Sequence, residues 1–287
     1  MNPSYMFRRF IPYFVLLLSA IVGFTAHATV QHTVSQHTEL KVITSGGFAA
    51  AFSLLAPKFE QQTGVIITTF YGSSSGGAAD SIPVRLVNGE TFDLIILSRS
   101  SLDRLTTQGF VSPQSRTDLV RSDIGMAVKH GAVIPDISTP AAFMSTLLNA
   151  KSIGYSASAS GTYLSTKLWP QLGIWPQIAD KSQRILSERV ARVVARGEVE
   201  IGFQQTSEIL PIAGIVYVGP IPASLQKITT FSAGILRHNS NLEYAKQLIA
   251  YLASKEAAAI ITTTGLLPVV LENPTHENKN NAVSINP

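Results

Sequence analysis

The sequence predicts an α/β chain built as two successive units, and three observations carry that prediction. Short β-branched or aromatic runs alternate with segments whose apolar residues fall at helical spacing. After a first strand–helix–strand–helix–strand series, the alternation restarts near Leu119. Serine–glycine clusters follow expected strands and open expected helices at Thr44-Ser45-Gly46-Gly47, at Tyr71-Gly72-Ser73-Ser74-Ser75-Gly76-Gly77 and at Ser156-Ala157-Ser158-Ala159-Ser160-Gly161. A turn of this kind presents backbone N–H groups and hydroxyls at the positive end of a helix dipole, which suits it to holding an anion without a covalent step. Repeated in one chain with no nearby base, such turns suggest a receptor more than an enzyme.

In the first unit, residues 40–43 form an apolar run that ends in a glycine turn. Phe48, Phe52, Leu55 and Phe59 then fall at helical spacing, and Pro57 is expected to kink that helix or loosen its middle turn. Residues 65–70 read as a strand, and those after Gly77 as a helix that Pro83 breaks. A third strand spans 92–97, with Asp93 at its start. Ser100 or Ser101 is placed to cap the helix carrying Leu102 and Leu105, which ends near Gly109. Strands joined by helices pair in parallel through right-handed crossovers. The loops at Ser45, Ser74 and Ser98-Arg99 therefore line one edge of one sheet, where ligands of open α/β sheets bind.

The second unit opens with a strand at 124–129 and a helix started by Thr139-Pro140. A short strand at 152–155 feeds the third serine loop and a helix through 168–172. Ser187-Glu188 opens a helix with Val190, Val193 and Val194 that Gly197 stops. Residues 199–203 form a strand followed by Gln204-Gln205-Thr206-Ser207, and further strands are expected at 215–218 and 228–236. The last helices cover 242–252 and about 255–264, with Gly265 in the position of a left-handed cap.

The ends carry different signals. Arg8 and Arg9, the apolar run 11–24 and Ala26-His27-Ala28 form a signal peptide over 1–28, cleaved near Ala28 to start the mature chain at Thr29. The alternative, an uncleaved anchor, meets a run short of the roughly 20 residues that a span needs. Residues 271–287 are asparagine-rich and polar, and read as a disordered tail. With 0 Cys, neither a disulfide nor a lipid-anchored cysteine is available. The formal charge of +4 falls to +2 without Arg8 and Arg9, and no Lys/Arg run interleaves with aromatics, so no nucleic-acid partner is expected. Neither phosphate-loop glycine motif is present, which disfavours ATP hydrolysis and dinucleotide use.

Four segments carry a family resemblance: Lys41-Val42-Ile43-Thr44-Ser45-Gly46-Gly47-Phe48, Tyr71-Gly72-Ser73-Ser74-Ser75-Gly76, Phe92-Asp93-Leu94-Ile95-Ile96-Leu97-Ser98 and Gly197-Glu198-Val199-Glu200-Ile201-Gly202-Phe203-Gln204. In order and spacing, over about 40–268, the chain resembles the periplasmic molybdate-binding proteins of ABC importers and the broader solute-binding family around them. The resemblance implies a type II periplasmic-binding-protein fold, with a ligand cleft between lobe one (39–118 plus 232–270) and lobe two (119–231). It implies a periplasmic receptor, not an enzyme, that captures a small oxyanion by serine hydroxyls and backbone N–H groups. Such a receptor acts as a monomer, serves an ABC permease in the inner membrane, and needs no cofactor and no metal beyond one inside the oxyanion. Carried over by position, the ligand-binding residues are Ser45, Gly46, Gly47, Ser74, Ser75, Arg99, Ser160, Gly161, Val190 and Gln205. Gly47 stands where molybdate binders usually carry serine, Gln205 where they often have tyrosine, and Arg99 is an added cation. These departures suit a wider or more polar anion, such as an organic acid, alongside molybdate or tungstate.

Other readings of the same residues stay open. Gly72-Ser73-Ser74-Ser75-Gly76 also fits G-x-S-x-G, which makes Ser74 the nucleophile of an alternative serine hydrolase. That reading needs a later histidine, and His130, His238 and His276 fall in expected turns or the tail. Arg99 either grips a carboxylate through two parallel bonds or is a solvated loop residue. Gln205 either donates to ligand or satisfies cleft backbone. Asp93 reads as a structural cap, and Trp169 and Trp175 as core.

Overall fold

The structure, a computed structural model, describes residues 38–269. The signal segment expected over 1–28 and the tail expected over 271–287 lie outside the described residues. In chain order the strands are β1 (Glu39–Ser45), β2 (Ile66–Gly72), β3 (Leu94–Ser98), β4 (Thr117–Ser122), β5 (Ile124–Lys129), β6 (Ile153–Ser156), β7 (Ser182–Ile185), β8 (Ile201–Gln205), β9 (Ile215–Pro220), β10 (Thr229–Ile235) and β11 (Leu267–Pro268). They form a six-stranded sheet in the order β11-β4-β10-β3-β1-β2 and a five-stranded sheet in the order β7-β6-β8-β5-β9.

In the first sheet β1 is parallel to both β2 and β3, while β10 runs antiparallel between β3 and β4. Ser45 pairs with Gly72, so the loops after β1 and β2 emerge side by side. In the second sheet β6 is parallel to β8, with Tyr155 opposite Phe203, so the serine loop after β6 and the segment after β8 also emerge together. The division of the chain differs from the expected one. Thr117–Ser122 and Thr229–Ile235 pair with each other along the first sheet, from Thr229↔Ser122 to Ala233↔Thr117. The chain therefore passes to the second sheet at Asp123, later than the expected Leu119, and is back in the first by Thr229, ahead of Ser232.

Helix Gly46–Thr63 buries Phe48, Phe52, Leu55 and Phe59 in one core with Leu94, Ile96, Phe231 and Leu248. It runs through Pro57 as a single helix and ends at Gly64, whose φ of 72° and N–H donated to the Glu60 carbonyl make a left-handed cap. Pro83 starts helix Ile82–Val87 and does not break it, because proline at the first turn gives up an N–H that has no helical partner anyway. Asp93 accepts from the N–H groups of Lys41 (2.8 Å) and Ser240 (2.8 Å), so it acts as a structural cap. The second core centres on Trp169, which stacks on Trp175 at 5.8 Å and meets Tyr155 and Phe203 edge-on. Strand β7 has no counterpart in the sequence reading, because its Gln183 and Arg184 are exposed on an edge strand and leave no apolar run.

Candidate functional site

The two pairs of loops face each other across a cleft of about 420 Å³. The first sheet contributes Ser45, Gly46, Gly47, Tyr71, Ser73, Ser74, Asp80 and Phe231. The second contributes Ser156, Ser158, Ser160, Glu188, Arg189, Arg192, Gln204, Gln205 and Glu208. The walls touch: the Ser207 hydroxyl donates to the Gly47 carbonyl at 2.8 Å, and the Ser187 hydroxyl to Asp80 Oδ1 at 3.2 Å.

Apart from Asp80, which accepts from Ser187, the first wall is built of neutral groups. Ser45 ends β1 and precedes an 18-residue helix, so the free N–H groups of that helix's first turn open here. The Ser45 hydroxyl is buried and has no hydrogen-bond partner among the described residues, which leaves it free for a ligand. Ser74 Oγ accepts the Ser98 N–H at 3.0 Å and keeps its own O–H. A Cβ on Gly47 would run into the Phe231 ring, and one on Gly46 into the Glu208 carboxyl. That packing explains why glycine stands at 47, where a serine is usual.

The second wall is titratable. Glu208 lies on helix Thr206–Ile209, directly after β8, and is 8% exposed. Burial pushes its carboxyl up to about 7, against the downward pull of the Arg189 charge, the Gln204 amide and the Gln205 backbone N–H. Gln204 accepts the Val190 N–H at 2.8 Å and donates to Glu208 Oε1 at 2.9 Å. The hydroxyls of Ser156 and Ser160 lie 3.0 Å apart. Gln205 Nε2 donates to Thr229 Oγ1 at 3.0 Å, and its Oε1 is buried without a partner among the described residues.

Of the residues expected at the site, Ser45, Gly46, Gly47, Ser74, Ser160 and Gln205 lie together along the cleft. Four others do not line it. Arg99 is 3.1 Å from Asp118 Oδ2, and Asp118 also accepts from Ser232, so this guanidinium is held in an ion pair on the first sheet. The Val190 N–H is spent on Gln204. Gly161 packs its Cα onto the Ser156 backbone, and the Ser75 carbonyl accepts the Ser73 hydroxyl. The hydrolase alternative finds no support, since Ser74 bonds to a backbone N–H and both His130 and His238 are exposed, while His276 lies outside the described residues. Glu208, Gln204, Arg189 and Arg192 escaped the sequence reading. The one signal for Glu208 was its place within a turn of the end of a buried strand.

The sequence pattern of the bacterial extracellular solute-binding proteins matches residues 40–267. An aconitate isomerase from a Pseudomonas species is 43% identical over 232 residues, which cover 81% of this chain and 88% of that one. Among solved structures, the periplasmic molybdate-binding protein of Azotobacter vinelandii superposes with a TM-score of 0.64 at 23% identity, covering 82% of this chain and 100% of the other. A sulfate-binding protein of Mycobacterium tuberculosis superposes with a TM-score of 0.62 at 16% identity, covering 81% and 88%. The fold is therefore the two-lobe periplasmic-binding fold. The expectation that the chain is not an enzyme is overturned by the isomerase relative. It rested on serine–glycine loops from both walls with no base beside them, and it missed Glu208, the titratable group between them.

Proposed function

This chain belongs to the bacterial extracellular solute-binding proteins, and we propose that it is a periplasmic isomerase of aconitate, an unsaturated tricarboxylate. One observation carries the reading: a carboxyl buried in the cleft and poised near neutrality, on Glu208. In a site that only captured an anion, an ionised carboxylate would repel the ligand. In a proton-transferring site it is the working group, since a general base operates best with its pKa near the ambient pH.

The chemistry follows from the substrate. The methylene of aconitate lies between a carboxylate and the carbon–carbon double bond, so loss of its proton gives an anion spread over three carbons. Glu208 takes that proton as the C–H bond breaks and the electron pair enters the allyl system. Return of the proton to the far carbon shifts the double bond by one position and allows the opposite geometry. One proton leaves and one is returned, with no other reactant. The Ser45 hydroxyl, the N–H groups opening helix Gly46–Thr63 and the Arg189 guanidinium hold the carboxylates and stabilise the charge that develops on them.

The test is to add cis-aconitate to the purified protein and follow trans-aconitate by proton NMR. Turnover by the wild type, lost in Glu208→Gln, is expected; binding without turnover by the wild type sinks the enzymatic reading. A second role, delivery of a bound anion to an inner-membrane permease by a monomer, is favoured by the contacts Ser207–Gly47 and Ser187–Asp80, which join the two walls across the cleft. A thermal-shift series with aconitate, citrate, sulfate and molybdate ranks the ligands, because a ligand at 100 times its Kd adds about 2.7 kcal/mol of stability.

A further inference from the structure

We infer that Gln204 is a positioning residue that fixes which oxygen of Glu208 carries the mobile proton and sets the pH at which that proton is released. The inference deepens the isomerase reading and takes Glu208 as its acid–base group.

The amide has only one workable orientation. The Val190 N–H is a donor and nothing else, and it sits 2.8 Å from Gln204 Oε1. With the amide oxygen committed there, the NH2 end must face Glu208, where it donates to Oε1 at 2.9 Å. Glu208 Oε1 is thereby an acceptor in every state of the reaction. The same oxygen is the atom that a Cβ on Gly46 would strike, so it is wedged between an amide from one wall and backbone from the other. The proton that Glu208 takes up and gives back therefore rides on Oε2.

The charged groups along the cleft are Glu188, Arg189 and Arg192 ahead of and on helix Val190–Arg196, and Asp80 on the first wall. Glu188 is exposed and bound to Arg196, and Arg192 is exposed. Arg189 and the Gln204 amide remain as the side chains that favour the ionised form of Glu208 against its burial. Loss of the amide donor must raise the Glu208 pKa, since a hydrogen bond to the carboxylate favours the charged form.

The experiment pairs Gln204→Met, which keeps length and volume but cannot donate, with Gln204→Glu, which keeps an acceptor for Val190 and adds a like charge. Carbon-13 labelling of glutamate, with Glu208→Gln to assign the resonance, gives the Glu208 titration in the ligand-free protein. An upward move of about 0.5–1 pKa unit in Gln204→Met, and a larger one in Gln204→Glu, is expected. In the aconitate assay, the acid limb of kcat moves up by the same interval. Rates of Gln204→Met then fall about three- to tenfold below pH 6 and change little above pH 9, with KM nearly unchanged. A Glu208 titration unchanged in both variants overturns the inference. So does an equal loss of kcat at every pH, which is what a purely structural role would give. Because the NMR titration needs no turnover, a wild type that leaves aconitate untouched removes the isomerase reading while the shift still tests Gln204.

Discussion

The two walls of the cleft come from similar strand–loop–helix turns, yet they are equipped differently. The first offers Ser45, Ser74 and the start of an 18-residue helix, and its donors at the cleft floor are uncharged. The second has its own serines, at 156 and 160, and adds a buried carboxyl, an amide that holds it and an arginine within electrostatic reach. The difference separates two tasks. Neutral donors bind an anion at any pH, because they have no charge to lose. A proton-transfer group must titrate, and it titrates near neutrality only where water is kept away from it. Glu208 meets that condition because the first wall closes over it at Gly46.

If the division holds, variants on the two walls fail differently. Glu208→Gln should lower aconitate turnover about 10³-fold while calorimetric affinity stays within about fivefold. Glutamine still accepts the Gln204 amide but cannot take a proton, so retained turnover breaks the division outright. Gly46→Ala should come next. Its Cβ would overlap the Glu208 carboxyl, so closure is penalised by about 1–3 kcal/mol and affinity falls roughly ten- to a hundredfold. Normal affinity would mean that the walls do not meet here when ligand is bound. Ser45→Ala removes a buried hydroxyl with no internal partner, and should weaken binding about tenfold with kcat for bound substrate little changed.

The smallest effect is on stability. The Glu208 carboxyl is raised from 4.5 to about 7 in the folded chain. Between those values the native state keeps a proton that the unfolded state has released, so stability falls as pH rises across that window. Thermal melts should decline by a few degrees between about pH 5 and pH 8, and Glu208→Gln should flatten the decline. Parallel slopes for the two proteins would show that Glu208 is not desolvated.

This contrast also explains what was legible in the sequence. The first wall is local: a strand, a serine, two glycines and a helix are contiguous from residue 39 to 63, and the pattern names them. Its glycines were legible as a turn, but their closeness to Phe231 and Glu208 was not, since those partners come from the far end of the chain. Glu208 looks like any polar residue in a short surface helix. Its burial depends on partners distant in sequence, Gly46 of the first wall among them. Arg99 misled for the matching reason: Asp118, which engages it, sits on β4, a strand whose Asp118 and Arg121 obscured the apolar pattern. The lobe boundary was drawn through β4, at Leu119, because the strand's neighbour in the sheet, β10, lies more than a hundred positions later.

That last separation bears on how the molecule is made. β10 sits between β3 and β4, and neither of those strands bonds to the other. When translation has passed residue 122, two strands have therefore been made with an empty slot between them. The slot is filled only after the whole five-stranded sheet has been synthesised, so the half of the molecule that begins first is the half that finishes last.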